Sequence, residues 1–226
     1  MKRVGMIELN RNRKTTKQEL IYVGAYFLFL LVFWSISRLI LSPALEKTLP
    51  NTSLSYALCE AILKGVIWIV PVYVILKLQK LNPISFLKLN SNIMKGISFG
   101  LLLGIAFLVI NIVKTKNFNI HITYSDFINT FLVVGIIEEI AFRGYIMQKF
   151  KLYVGFIGSN IITSLMFAMI HIPISINNHN IDPLYFVQVG ILSLIFGYFF
   201  EETDSLICPI VIHSLWDLSM ILTQIS

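Results

Sequence analysis

Long apolar runs separated by short polar segments dominate the chain. A helix needs about twenty apolar residues to cross the hydrocarbon core of a bilayer, and the runs approach or exceed that length. They cover residues 20–41, 55–77, 95–114, 125–149, 154–172, 183–200 and 206–224. Because lipid-exposed backbone has to satisfy its hydrogen bonds within one segment, the runs predict helices. We therefore expect an all-α fold, a polytopic transmembrane helical bundle of about seven to eight spans.

The composition places the chain in a membrane rather than in water. Of its 226 residues, 56% are hydrophobic and 13% are charged, about half the charged share of an ordinary soluble domain. The first apolar run is too long for the apolar part of a signal peptide and is expected to be a retained anchor. Cys59 and Cys208 fall in or beside apolar runs, which favours inert helix-contact residues over a disulfide framework or a metal site.

Lysine and arginine are distributed unevenly between the two sets of loops. The N-terminal tail, the second loop and the fourth loop carry twelve of them, and the loops on the opposite side carry three, at Lys47, Lys114 and Lys116. An excess of positive charge marks the cytoplasmic side, so the N-terminus is expected in the cytoplasm beside anionic lipid. The net charge of +6 gives no reason to expect nucleic acid as a partner, since no basic face interleaved with aromatic residues stands on a soluble unit.

Two adjacent glutamates, Glu138 and Glu139, lie inside the fourth apolar run, and Arg143 follows them. A carboxylate inside a bilayer is costly and is by default a functional-site candidate. Glu139 and Arg143 are four residues apart, so their side chains meet on a helix, while Glu138 points about 100° away. The pattern predicts that Arg143 neutralises and orients Glu139 and that Glu138 stays available as a general base. A purely structural Glu–Arg pair is the alternative, and it leaves Glu138 unexplained.

Two histidines lie in later apolar runs. Glu138 and His171 are 33 residues apart, and each lies about 16 residues, or roughly 24 Å along a helix, from a turn expected near Gly155. An antiparallel hairpin would therefore bring both side chains to the same depth. His213 lies about eight residues from the turn at 201–204, which leaves it about 12 Å out of level unless a helix is tilted or broken.

Other ionisable residues in the apolar runs stand at helical spacing. Asp217 follows His213 by four residues, and a carboxylate on the same face can hold the imidazole tautomer. Glu60 and Lys64 are also four apart with the acid first, which predicts a structural pair. Arg38 lies near a span end, from which its guanidinium can reach the lipid headgroups.

Three short motifs together resemble those of a known family. They are Glu138-Glu139-x-x-x-Arg143-Gly144, Phe167-x-x-x-His171 and His213-x-x-x-Asp217. In this order, each on an apolar segment, they resemble the CAAX protease and bacteriocin-processing (CPBP) family, a group of intramembrane endopeptidases also called Abi proteins. The resemblance covers about residues 125–220 and implies a CAAX-protease-like core of four helices.

The resemblance also implies roles for the matching residues. Glu138 would be the general base that activates water, His171 would help to hold that water, and His213 would stabilise the oxyanion together with residue 217. The family position that matches Asp217 is commonly asparagine, and an ionised aspartate cannot donate to an oxyanion. Asp217 would therefore be protonated, or it would only orient His213. The site would be organised by Glu139, Arg143, Asp217 and Phe167.

Members of this family have been described both as metalloproteases and as metal-independent glutamate proteases. Glu138, His171 and His213 could bind Zn²⁺ and leave a fourth position open. However, the chain has no H-E-x-x-H motif, and the three ligands would come from three separate helices. We therefore expect no metal cofactor, and a water held by Glu138 and His171 instead.

The expected organisation has three parts: a basic cytoplasmic tail at 1–19, N-terminal transmembrane helices at 20–114 and a catalytic transmembrane core at 125–224. The expected function is hydrolysis of a peptide bond in a small membrane-associated peptide or protein, and the Ile-, Asn- and Lys-rich composition favours a bacterial cell membrane. The alternative is a non-catalytic membrane scaffold or a bacteriocin self-immunity protein of the same fold. A transporter with a proton relay is a further alternative, although the sequence lacks the paired halves typical of transporters.

Overall fold

A computed structural model describes residues 2–116, 118, 122–179 and 181–223, and all regular secondary structure in these ranges is helical. Two short helices, Pro83–Phe86 and Ile172–Asn177, lie in connections. The long helices are α1 (Lys2–Ile36), α2 (Leu54–Leu78), α3 (Ile93–Thr115), α4 (126–154), α5 (156–170), α6 (Pro183–Thr203) and α7 (Ile207–Thr223). The all-α bundle that the apolar runs predict is confirmed.

The first helix is longer than the first apolar run. It begins at Lys2 and is prolonged by the helical segments Ser37–Leu41 and Ser42–Glu46. No helix end falls at residue 19, so the division of the chain into a tail, N-terminal helices and a core stays a prediction. Residue 224, the last of the expected core, lies outside the described residues.

Five helical stretches within the described ranges are long and apolar enough to cross a membrane. One of them, Asp126–Asn177, covers 52 residues, but Gly155 divides it because this residue has a φ of +68°, a conformation that glycine adopts without steric cost. The ring of Phe142 on α4 then meets the ring of Phe167 on α5, with centroids 4.9 Å apart. The two helices therefore form the expected antiparallel hairpin.

A seam of glycines joins α3 to α7. Gly96, Gly100 and Gly104 follow each other at intervals of four residues and are buried on one face of α3. A Cβ added at Gly100 would lie 2.7 Å from the Cβ of Val211, and one added at Gly104 would lie 2.9 Å from the Cβ of Leu215. Small residues at this spacing let two helices approach closely in a membrane. The seam fixes the position of α7 against the bundle.

An aromatic core joins α1, α2 and α4. Trp68 of α2 contacts Trp34 of α1 edge to face at 5.2 Å and lies 5.9 Å from Phe142 of α4. Tyr26 of α1 meets Tyr145 of α4 in the same way at 5.3 Å. Phe142 and Tyr145 of this core are fully buried. Their neighbours on α4 are fully buried as well: Ala141, Arg143, Ile146 and Met147. Bulky aromatic residues thus close this part of the bundle to solvent.

Candidate active site

The two adjacent glutamates lie on a short α-helical segment between two π-helical ones. Gly135–Glu139 is α-helical, Asp126–Val134 before it and Ile140–Met147 after it are π-helical. Segments of π-helix are rare and occur frequently at functional sites. Both glutamates are buried, and each has a different set of partners.

Glu139 is held by Arg143. The guanidinium donates to Oε1 of Glu139 at 2.8 Å and, through its other terminal nitrogen, to the carbonyl and hydroxyl oxygens of Ser193 at 2.9 and 2.8 Å. It also lies 4.8 Å from the ring centre of Phe167 and 5.3 Å from that of Phe196, within the range of cation–π attraction. Arg143 and Glu139 are fully buried, so they form a fixed ion pair that joins α4, α5 and α6.

His213 joins the same ion pair from α7. Its Nδ1 lies 2.8 Å from Oε1 of Glu139, and its Nε2 lies 3.6 Å from Oδ2 of Asp217. The offset of about 12 Å that helix length predicts is absent, because the direct contact between His213 and Glu139 puts both side chains at one level. Ser205 and Leu206, directly before α7, are fully buried.

Glu138 is paired with a lysine from α2. Nζ of Lys64 donates to Oε1 of Glu138 at 2.7 Å, and both side chains are almost entirely buried. The ammonium group also lies 5.1 Å from the ring centres of Trp34 and Trp68. Oε2 of Glu138 has no hydrogen-bond partner among the described residues. Glu138 is not paired with Arg143, as its position on the helix predicts, but Lys64 holds one of its oxygens and only the other remains available.

The expected pair of Glu60 with Lys64 does not form. Glu60 instead accepts hydrogen bonds from Arg38 and from the hydroxyl of Ser42, while Lys64 points to Glu138. Arg38 accordingly does not extend to the headgroups, and its side chain is mostly buried. Spacing within a helix predicts which side chains can meet, but here each of the two found a partner on another helix.

His171 lies at the C-terminal end of α5. Its Nδ1 is 2.7 Å from the carbonyl oxygen of Phe167, an acceptor that requires the proton to be on Nδ1. Nε2 of the neutral ring is then an acceptor. The imidazole lies between the rings of Phe167 and Tyr185, with centroids 4.8 and 6.1 Å away, so its orientation is fixed by hydrogen bonding and by aromatic contacts.

A cavity of about 300 Å³ brings these groups together. Glu138, His171 and Asp217 line it, as do Lys64 and Tyr185. His213 and Glu139 do not line it, but His213 contacts both Glu139 and Asp217, and Asp217 lines the cavity. Of the three residues expected to share a pocket, two therefore face it and His213 supports it from behind.

The donors at this site do not fit the Zn²⁺ alternative. Oε1 of Glu138 is occupied by the ammonium group of Lys64, and the two nitrogens of His213 face carboxylates. Among the described residues, no group of three His, Cys, Asp or Glu side chains is placed to share one metal ion. A cation beside the central carboxylate also opposes the binding of a second one.

Apolar helices of membrane-spanning length around a buried Glu, His and Arg site define an integral membrane protein with a polar site inside the bilayer. Residues 120–219, a little under half of the chain, match the family described as type II CAAX prenyl endopeptidase Rce1-like. The family resemblance carried by the three motifs is confirmed. A search of curated proteins and one of solved structures return no match to the chain.

Lys64 is a site residue for which the sequence predicted a different partner, Glu60 instead of Glu138. It lies in α2, outside the part of the chain that matches the family. One signal pointed to it, since a lysine inside an apolar run is by default a functional candidate. Its spacing from Glu60 offered a simpler explanation, and only the relative rotation and depth of α2 and α4 show that Glu138 is the partner.

Proposed function

We propose that the protein is an intramembrane endopeptidase in which Glu138 activates a water molecule for attack on a peptide bond. The observation that carries the proposal is the position of Glu138 in the cavity. One of its oxygens is held by Lys64, the other has no partner among the described residues, and His171 lines the same space. The matching protease family supports peptide hydrolysis as the reaction class.

The proposed reaction proceeds through a tetrahedral intermediate. Oε2 of Glu138 accepts a proton from water while the water oxygen bonds to the carbonyl carbon of the substrate. The carbonyl oxygen becomes an oxyanion, and the C–N bond then breaks as the protonated Glu138 returns its proton to the leaving nitrogen. His171 accepts a hydrogen bond from the attacking water through Nε2, which orients the water lone pair towards the carbonyl carbon.

The developing oxyanion needs a donor in the cavity. The family resemblance assigns this role to His213 with residue 217, and that role stays a prediction. The contacts of His213 with Glu139 and Asp217 favour a positioning role instead. Lys64 lines the cavity next to Glu138, and its ammonium group is suited to stabilise negative charge in a water-poor site. We therefore assign Lys64 to the oxyanion and to the orientation of Glu138.

The remaining residues position the reacting groups. Arg143 fixes Glu139, Glu139 fixes His213, and Phe167 covers the guanidinium and accepts the hydrogen bond from His171. A network of this kind holds a catalytic carboxylate in place without rearrangement during the reaction. Asp217, at the far end of the network, faces the cavity.

Replacing Glu138 or His171 tests the proposal. Glu138→Ala and His171→Ala should abolish cleavage of membrane peptides, measured by comparing the membrane and released peptides of cells that express each variant. Glu202→Gln changes an exposed glutamate near the end of α6 and should leave cleavage intact. Normal cleavage by both alanine variants would refute the proposal, and a Glu138→Gln protein that still protects cells from a bacteriocin would favour the non-catalytic alternative.

We also propose that catalysis is independent of a metal. The ion pair of Lys64 with Glu138 supports this, because the ammonium group already neutralises the carboxylate that a metal would need. Metal analysis of the purified protein should find no stoichiometric transition metal, and a chelator should leave cleavage unchanged. Loss of activity on chelation with recovery on adding Zn²⁺ would contradict the proposal.

A further inference from the structure

The cavity is lined by residues from one half of the bundle. On α2 they fall within the first eleven residues, on α4 within its first half, and on α6 at the third residue, Tyr185. On α5 the lining residues are at the end of the helix, and Asp217 lies in the second half of α7. Since neighbouring helices run in opposite directions, all these halves meet at the same face, the one at which α1, α3 and α5 end and α2, α4 and α6 begin.

The opposite half of the bundle is closed. Below Glu138 the α4 residues from Ala141 to Met147 are buried, and the aromatic contacts of Trp68 and Tyr145 fill the space between α1, α2 and α4. Further along, Lys149 is buried and joins Glu19 and Gln79 through its ammonium group, at 2.6 Å from each. The residues that line the cavity at Glu138 include none of those that fill this half.

The closed face is the basic one. Residues 2–17 of α1, the end of α2 with its connection to the start of α3, and the end of α4 carry twelve of the eighteen lysines and arginines, and the open face carries Lys47, Lys114 and Lys116. Such an excess places the basic face in the cytoplasm. The cavity therefore opens towards the other side of the membrane.

Polar uncharged side chains mark the entrance. Ser125, at the N-cap of α4, and Asn129 and Thr130 in its first turns line the cavity between the open face and Glu138. Tyr185 stands at the rim and is partly exposed. The two charged groups near the entrance, Arg38 and Glu60, neutralise each other. Such a surface can bond to the amide groups of an extended peptide without selecting a charge.

We infer that the site takes its substrate from the extracytoplasmic side of the membrane. The substrate class is an extended peptide segment of a secreted or membrane-anchored protein, after that segment has crossed the bilayer, and not a prenylated C-terminus held in the cytoplasm. That the bound peptide is a substrate rests on the proposed function. The direction in which the cavity opens is independent of catalysis.

Three asparagines provide a matched test of the direction. Asn51 lies in the connection between α1 and α2, Asn129 in the cavity and Asn90 in the connection between α2 and α3. Each is changed singly to cysteine in a protein with Cys59→Ser and Cys208→Ser. Intact cells are treated with a membrane-impermeant maleimide before or after permeabilisation. We expect Asn51→Cys and Asn129→Cys to be labelled in intact cells and Asn90→Cys to be labelled only after permeabilisation.

Several results would overturn the inference. Labelling of Asn129→Cys only after permeabilisation would place the opening in the cytoplasm, and its absence in both conditions would show that the cavity does not reach water. Labelling of Asn90→Cys in intact cells would show that the whole protein is inserted in the opposite orientation. The same labelling pattern in a Glu138→Ala background separates the two proposals, because a protein without peptidase activity still reports where its cavity opens.

Discussion

The pair of Lys64 and Glu138 gives a quantitative prediction. Both side chains are about 93% buried and their charged atoms are 2.7 Å apart. Replacing Lys64 by methionine keeps most of the side-chain volume and removes the charge, which leaves a buried carboxylate without its cation. Removal of one partner from a buried ion pair costs about 3–5 kcal/mol. We expect the lower end of this range for Lys64→Met, because Glu138 also faces the cavity.

A double-mutant cycle isolates the interaction from the loss of either side chain. Glu138→Gln alone leaves a buried ammonium group and should also destabilise the protein. The double variant removes both charges, and well-matched neutral replacements for a buried pair are often tolerated. The free energy of unfolding of the double variant should therefore exceed the value expected from adding the two single losses by about 1–3 kcal/mol.

The measurement is equilibrium unfolding of the purified protein in detergent, followed by helical circular dichroism. Lys47→Met serves as the matched control, because Lys47 lies exposed in the connection between α1 and α2, and its replacement should change the free energy of unfolding by less than about 0.5 kcal/mol. Strict additivity of the two single variants would show that Lys64 and Glu138 do not interact and would remove the basis for the proposed role of Lys64.

Further predictions concern the helix seam and the turn before α7. Gly100→Ala should destabilise the protein by about 1–3 kcal/mol through overpacking, since the added Cβ would lie 2.7 Å from the Cβ of Val211. Gly190→Ala is the control, because nothing lies within 4 Å of a Cβ added there, and it should have little effect on the free energy of unfolding. Equal effects of the two variants would contradict the role of the seam. Asp204→Asn should lower stability at neutral pH, because the hydrogen bond from Lys88 holds the pKa of Asp204 below its usual value. That stabilisation is present above the pKa of the unfolded carboxyl and is lost as the pH falls through the lower folded pKa, so the thermal unfolding curves of the two proteins should converge in acid. A difference that persists in acid would assign the effect to the turn itself and not to the charge.

The fold was predictable because each element is encoded locally. An apolar run of sufficient length specifies a membrane helix whatever surrounds it, so the seven runs correspond to α1–α7. The turn at Gly155 was also visible in the sequence, as a glycine between two runs. The π-helical segments of α4 were not predictable, since hydrogen bonds shifted by one residue leave no distinct apolar pattern.

The candidate site was predictable only in part. Glu139 and Arg143 meet because their spacing on one helix brings them together. Contacts between helices depend on the rotation and depth of each helix, which the sequence does not specify. For this reason Lys64 was assigned to Glu60 although Glu138 is its partner, and His213 was placed too shallow although it contacts Glu139.

The origin of Lys64 has a consequence for protein engineering. The counter-ion of Glu138 is supplied by a helix that precedes the matched domain, so grafting residues 120–219 onto a different set of N-terminal helices would transplant the glutamate without its lysine. A functional chimera would have to carry α2 along with the domain, or recreate a cation at the corresponding depth in the recipient.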